Sequence, residues 1–397
     1  MKRFFPVILI GLLVLLGVAG SGCAPVSGQY TASASATYAS SSGYEGDDYS
    51  SLDRYGTWVN LSGYGEVWCP LDVSAGWRPY TVGSWAYTDY GWMWVSEDPW
   101  GYVPYHYGRW TFDSYYGWCW APGDVWAPAW VSWRYGDGWC GWAPLPPDVG
   151  WRVGIGLSID ANSLDSRIDP YSWCFVPARD ITSTSIRARV APASRNVTFL
   201  SVTQNVTNYT VVNSRPAERG LRPEMIERDT GRRITPYQVV DSKTPRGSRG
   251  AVIRGHDIEV YRPAENVGSR AKDRVRSQAE GHTRPPRELI RRQETERLKF
   301  DERMRGERAE LDREHQRELR QPPQGVSRDQ LSRRQQAEVQ AQKEREDRER
   351  KVIEERSKRL KQGSDFQDKR DEAQNRNRDR ERNNRGRGRG RGNGDNG

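Results

Sequence analysis

The run Gly83-Ser84-Trp85-Ala86-Tyr87-Thr88-Asp89-Tyr90-Gly91-Trp92-Met93-Trp94 decides the fold. In an extended strand successive side chains point to opposite faces, so Trp85 and Tyr87 share one face, as do Trp92 and Trp94. Thr88-Asp89-Tyr90-Gly91 between them has the composition of a tight turn. The whole run therefore reads as an antiparallel β-hairpin with an aromatic face.

The pattern recurs. Gly56-Thr57-Trp58, Gly83-Ser84-Trp85 and Gly108-Arg109-Trp110 place a Trp two residues after a Gly, at spacings of 27 and 25. A second motif follows each: Gly65-Glu66-Val67-Trp68-Cys69-Pro70, Gly91-Trp92-Met93-Trp94 and Gly117-Trp118-Cys119-Trp120-Ala121-Pro122. A third closes each unit, at Trp77-Arg78-Pro79-Tyr80, at Trp100 to Tyr105, and at Trp126-Ala127-Pro128-Ala129-Trp130. A partial unit ends at Gly141-Trp142-Ala143-Pro144, which makes three and a half repeats. Pro at regular intervals ends strands and forbids long helices. No unit can bury its Trp face alone, so the units must pack together.

These motifs, in this order across about residues 54–150, resemble the domain-of-unknown-function 6600 family, and more weakly to about residue 262. The resemblance implies a Trp/Gly-rich domain of exported bacterial proteins. It supplies no catalytic residue, because that family has none assigned.

All 17 Trp lie between Trp58 and Trp173. From Pro263 onward there is no Trp or Tyr, and 38 Lys and Arg stand against 28 Asp and Glu, a net +10. The rest of the chain, 23 against 24, is −1, so the overall +9 belongs to the tail. The tail has too little apolar content for a core of its own. The near-neutral aromatic part lacks the basic field of a nucleic-acid-binding domain, and nucleic acid is not expected as a partner. Four His make a multi-His metal site unexpected, and no metal or cofactor is anticipated.

The chain divides into five parts. Residues 1–22 combine a basic start with an apolar stretch and read as a leader; with Gly20-Ser21-Gly22-Cys23 they resemble a bacterial lipoprotein signal, with Gly20 where an aliphatic residue is usual. The resemblance implies lipidation of Cys23, a membrane partner through the lipid, and outer-membrane localisation. Residues 23–53 form a Ser/Ala/Gly-rich flexible tether. Residues 54–150 are the Trp/Gly-rich antiparallel β-repeat domain. Residues 151–262 are a smaller β-rich, α+β module with strands expected at 151–159, 172–176, 185–190, 197–202, 209–212, 239–240 and 258–261. A helix is expected over 223–229, with Pro223 at its start and Gly231 after it. Residues 263–397 are a charged helical and disordered tail, with helices over 287–320 and 327–362 broken at Pro322-Pro323. Stepping by seven from Ile290 gives Arg297, Met304, Leu311 and Glu318, too polar for a sustained coiled-coil seam, so a solvated single helix is expected. The fold class is thus mainly β.

Four cysteines besides Cys23 suit an oxidising compartment: Cys69, Cys119, Cys140 and Cys174. Cys119 and Cys140, in neighbouring units, are the favoured pair; free buried thiols are the alternative. Candidate ligand-binding side chains are Trp77, Arg78, Tyr80, Trp100, Tyr105, His106, Tyr107, Arg109, Trp126, Trp130 and Arg134, since aromatic faces stack on sugar rings and Arg contacts hydroxyls or anions. Most Trp are nevertheless expected to be core, with a few left exposed as a binding surface, and His106 is expected to be a structural hydrogen-bonding residue. Arg385, Arg387, Arg389 and Arg391, in an Arg-Gly repeat, are candidate polyanion contacts. The chain reads as a non-enzymatic envelope lipoprotein that binds polysaccharide, lipopolysaccharide or another polyanion. The alternatives are an assembly protein whose helical tail docks a protein partner, and a cryptic glycan hydrolase. No spacing of Asp89, Glu97, Asp98 and Asp113 singles out an acid/base pair.

Overall fold

The structure is a computed structural model and describes residues 52–71, 73–74, 76–242, 251–262, 287–323 and 325–388. The expected leader, Cys23, the tether up to residue 51, and Arg389 and Arg391 lie outside the described residues; for Arg385 and Arg387 the backbone alone is described.

Four consecutive hairpins organise the aromatic part. They are β1 (Gly56–Leu61) with β2 (Gly65–Pro70), β3 (Gly83–Thr88) with β4 (Gly91–Ser96), β5 (Arg109–Asp113) with β6 (Gly117–Ala121), and β7 (Val131–Gly136) with β8 (Trp139–Pro144). Each sets one Trp directly across from another: Trp58 faces Trp68, Trp85 faces Trp94, Trp110 faces Trp120 and Trp133 faces Trp142. The repeat is therefore fourfold. The last unit is complete, with Trp133 of Val131-Ser132-Trp133 as the first-strand Trp, although no Gly stands two residues before it. Three-residue loops close the first and third hairpins and two-residue loops the second and fourth. Asp113 shapes the third loop by accepting hydrogen bonds from the amides of Tyr115 and Tyr116, both at 2.7 Å.

The first and third hairpins join into one sheet of order β1-β2-β6-β5 through the Trp68–Trp120 pair. This lines Trp58, Trp68, Trp120 and Trp110 up in a row across four strands, on one face. Alternation puts Cys69 and Cys119 on the other face, where they form the disulfide, with Cα atoms 4.1 Å apart. The favoured Cys119–Cys140 pairing is thus corrected: Cys140 lies on β8, in a different sheet, and is a buried free thiol like Cys174. Burial pushes both thiols above their usual range.

The Trp faces converge on one core. Ring centroids are 4.7 Å apart for Trp85 and Trp133, 4.9 Å for Trp68 and Trp100, and 5.0 Å for Trp85 and Trp94. A buried indole N–H favours an acceptor. Backbone carbonyls supply one to several of these Trp, whereas the ring nitrogens of Trp77, Trp85, Trp94, Trp126 and Trp151 are buried without a hydrogen-bond partner among the described residues. Trp68 donates to Leu52 O (3.1 Å), Trp92 to Leu221 O (2.9 Å) and Trp142 to Tyr80 O (3.0 Å).

The chain beyond residue 150 continues this core. After β9 (Trp151–Arg152), β10 (Gly156–Leu157) and the short helix α1 (Ala161–Asp165), β11 (Cys174–Pro177) adds to β8, and β12 (Gln204–Asn205) adds to β7. Ile181, Ile186, Leu221, Ile226, Ile258 and Val260 share the cluster of Trp85 and Trp133. Two expected strands are corrected. Residues 185–190 contain the 3-10 turn Ile186–Arg189, and 197–202 lie in helix α2 (Asn196–Val202). Packing overrides the β propensity of the second: helical spacing brings Phe199 onto Trp139 (4.2 Å) and Phe175 (5.1 Å). Helix α3 (Pro223–Thr230) begins at Pro223 and ends at Gly231 in the left-handed region, as its sequence predicts. The remaining strands are the hairpin β13 (Tyr209–Val212) with β14 (Arg215–Glu218), and β15 (Gln238–Ser242), β16 (Ala251–Arg254) and β17 (Asp257–Tyr261) in a sheet of order β15-β17-β16.

The tail forms helices α4 (Arg287–Arg320) and α5 (Arg328–Gly388). Ser327 and Gln330 make a reciprocal capping box at the start of α5, their two hydrogen bonds measuring 2.9 and 3.2 Å. The expected solvated single helix is corrected. The two helices run antiparallel, tied by Arg345–Glu307 (2.6 Å), Arg350–Asp301 (3.0 Å) and Arg334–Glu318 (2.6 Å), around a small cluster of Phe300, Met304 and Ile353. They also lie against the β core: Arg195 meets Glu314 (3.0 Å), buried Glu338 accepts from Thr198 and contacts His315 (2.7 Å), and the Tyr171 hydroxyl donates to Ala341 O (3.0 Å). The helices thus pair through crossed ions around a short apolar patch, a pattern that heptad counting misses. No described helix is long and apolar enough to cross a membrane.

Candidate functional site

The aromatic side chains named from the sequence as ligand platforms are all in the interior. Trp77, Tyr80, Trp100, Tyr105, His106, Tyr107, Trp126 and Trp130 are buried, as are Arg109 and Arg134, while Arg78 is half-buried. Burial corrects the platform expectation: a sugar ring cannot reach these faces while the core is closed. The reason is compositional. With only seven Phe in the chain, Trp and Tyr supply the apolar volume that hairpins of this size must enclose.

The named polar groups serve the same core. Arg109 lies 3.7 Å over the Trp130 ring and donates to Val149 O (3.0 Å), and burial pulls its pKa down to about 10. Arg134 pairs with Asp165 (2.5 Å) and donates to Thr203 Oγ1 (3.0 Å) and Leu200 O (2.9 Å). Arg78 donates to the carbonyls of Trp173 and Tyr171. His106 Nδ1 lies 3.0 Å from Ala127 O, and burial lowers its pKa to about 4, which leaves a neutral structural imidazole. Asp98 accepts from the Tyr105 hydroxyl at 2.5 Å inside the core.

An open cleft lies elsewhere. On β5 and β6 the cross-strand pair next to Trp110–Trp120 is Phe112–Trp118, with rings 5.7 Å apart. It continues the core face of the sheet outward to where the core ends. There a cleft of about 540 Å³ opens between this hairpin, the segments around Asp148 and Asp169, and helix α5. Phe112, Trp118, Tyr64 and Pro146 give it apolar walls. Two ion pairs stand at it, Asp148–Arg167 and Asp169–Arg348, the latter at 2.7 Å. Arg348 is fixed from three sides, since its guanidinium also lies 5.6 Å from the Phe112 ring and 4.7 Å from that of Tyr171. Asp169 in turn accepts from the Tyr171 amide at 2.9 Å and so caps the short turn beside it.

Aromatic edges beside fixed donors and acceptors suit a polyhydroxylated ligand, whose C–H faces are apolar and whose hydroxyls need partners. Both carboxylates are committed to guanidinium partners. The sequence reading missed all six of Tyr64, Phe112, Asp148, Arg167, Asp169 and Arg348. No local motif marks them, because the cleft is assembled from four separate stretches of chain and a tail helix nearly two hundred residues further on.

The stretch that holds the four Trp-paired hairpins is the one that the family comparison covers. Residues 49–149 match the model of the family of unknown function DUF6600. The DUF6600 match spans β1 to β8 and stops five residues past the end of the fourth hairpin, one residue after Asp148. It thus covers one side of the cleft, Tyr64, Phe112, Trp118 and Asp148, whereas Arg167, Asp169 and Arg348 come from beyond it. No curated protein and no solved structure matches the chain significantly.

Proposed function

We propose that this chain is a non-enzymatic cell-envelope lipoprotein that binds polysaccharide, and that the cleft beside Phe112 is its binding site. The observation that carries the reading is the conjunction at one opening of Phe112 and Tyr64 with two ion-paired Asp–Arg couples. The volume of about 540 Å³ lies within the ~300–1,000 Å³ range of small-ligand sites. Export and anchoring rest on the sequence of residues 1–23, and incorporation of labelled palmitate that Cys23→Ala abolishes is the expected result for the anchor.

Calorimetric titration of the mature protein with a panel of envelope and extracellular oligosaccharides tests the binding. The expected result is binding by at least one of them, weakened tenfold or more by Phe112→Ala. Absence of binding across the panel sinks the reading.

A second reading is favoured by the length of α5. Its 61 residues correspond to about 90 Å of helix, and it continues for thirty residues past Lys358. Such an arm suits an assembly protein that docks a partner through its tail. A partner captured equally by the Phe112→Ala protein, with no saccharide bound by either, would favour that reading.

A further inference from the structure

We infer that the cleft beside Phe112 takes an uncharged saccharide segment rather than an anionic one. The inference rests on the saccharide-binding reading above and names the substrate class of that same site.

The first argument is charge balance. The charged side chains lining the cleft are Asp148, Asp169, Arg167 and Arg348, and they close into two pairs. Their formal charges cancel. An anionic sugar would have to place its carboxylate beside Asp148 or Asp169, or displace one of them from its guanidinium. Like charges at contact distance oppose the first, and loss of a charge-assisted hydrogen bond opposes the second. An uncharged polyol meets neither cost.

The second argument is unused hydrogen-bonding capacity. Side-chain exposure is 47% for Arg167 and 40% for Asp148, and 34% for Arg348 and 41% for Asp169. A guanidinium carries five N–H donors and a carboxylate about four acceptor positions, and one ion pair uses a minority of them. Each couple therefore offers a donor and an acceptor side by side. Adjacent hydroxyls of a sugar ring need that combination, one accepting from Arg and one donating to Asp. The third argument is placement. Phe112 and Tyr64 supply apolar contact within the same cleft, and Arg348 is held in advance between Asp169, Phe112 and Tyr171, so little ordering remains for binding to impose.

Arg348 lies on α5, so the tail helix completes a site that the first four hairpins only begin. It acts as a positioning and hydroxyl-reading residue.

The test is a titration of the full mature protein with uncharged hexasaccharides (cello-, malto- and chito-oligomers) and with oligogalacturonate and alginate hexamers, at 20 and 300 mM salt. The same titrations are run on Phe112→Ala and Arg348→Gln, whose melting curves report whether they fold. The expected result is binding of an uncharged oligomer that changes less than twofold with salt, weakens tenfold or more in Phe112→Ala and weakens severalfold in Arg348→Gln. Uronate binding in the wild type should be at least tenfold weaker, or independent of Phe112. Tighter, salt-sensitive uronate binding that Phe112→Ala removes would overturn the inference and leave the saccharide-binding reading standing. Binding of no saccharide of either class would overturn both.

Discussion

At the scale of single residues, the protein spends its Trp on pairs. Each hairpin sets two Trp directly across from each other on a strand pair, and cross-strand aromatic contacts stabilise a sheet beyond simple area burial. Trp85 sits where several such pairs meet, within 6 Å of Trp94, Trp133 and Trp142. Trp85→Ala is expected to lower stability by about 3–5 kcal/mol in urea unfolding, as a cavity in a packed core does. Two buried titratable groups oppose each other in their pH effect. Glu218 accepts from the amides of Asn208 (3.1 Å), Gly220 (2.7 Å) and Leu221 (3.4 Å), yet burial raises its pKa from 4.5 to about 7. The folded state therefore binds its proton more tightly than the unfolded one, so its contribution is complete below about pH 4.5 and is lost as pH rises through 7. His106 works the other way: its pKa falls from 6.5 to about 4, so its contribution is complete above 6.5 and is lost as pH falls through 4. Glu218→Gln keeps an acceptor without the charge and should lose less melting temperature than the wild type between pH 5 and 8. An equal loss would contradict this account of Glu218. The Trp spacings were legible in the sequence because repetition displays them; the burial of Arg109 and Arg134 was not, since no sequence pattern separates an Arg stacked inside a core from one at its rim.

At the scale of elements, alternation explains much of what could be read. The period of two placed Trp58, Trp68, Trp110 and Trp120 on one face, and by the same logic sent Cys69 and Cys119 to the other. The mistaken pairing with Cys140 came from proximity in sequence, whereas the sheet order β1-β2-β6-β5 brings the first and third hairpins together and leaves the fourth in another sheet. The disulfide spans 50 residues, so a chain-entropy treatment gives it about 4 kcal/mol. Reduction, or Cys69→Ser with Cys119→Ser, is expected to lower the urea midpoint while Cys140 and Cys174 stay unreactive towards thiol reagents until the protein unfolds. Gly91 opens β4 at a φ of +95°, and a Cβ there would stand 2.1 Å from Glu218 O. Gly91→Ala should therefore destabilise the fold by more than a loop substitution does, because backbone is what must move. Helix α2 was misread as a strand because Val, Thr and Phe dominate it, and the rings that hold it helical, Trp139 and Phe175, lie on strands elsewhere.

At the scale of the whole molecule, composition separates what the structure joins. The change of character near residue 150 is real in the sequence, yet β11 and β12 complete the sheet begun by β7 and β8. The charged tail, expected to stand in solvent, lies along the domain through Arg195, Glu314, Glu338, Asp169 and Arg348. The cleft exists only because these distant parts meet, which is why no stretch of sequence announced it. Glu338→Ala removes the acceptor shared by Thr198 and His315 and should speed proteolysis and hydrogen exchange of α4 and α5 while the hairpins stay protected. The central claim is that the Trp wealth of this chain is core, leaving ligand recognition to the cleft beside Phe112. Oxidative labelling of the native protein, read residue by residue by mass spectrometry, tests it most directly. Trp58, Trp139 and Trp151, the three half-buried indoles, should react first, while Trp77, Trp100, Trp126 and Trp130 remain protected until the protein unfolds. Labelling of those four at the rate of Trp58 would contradict it.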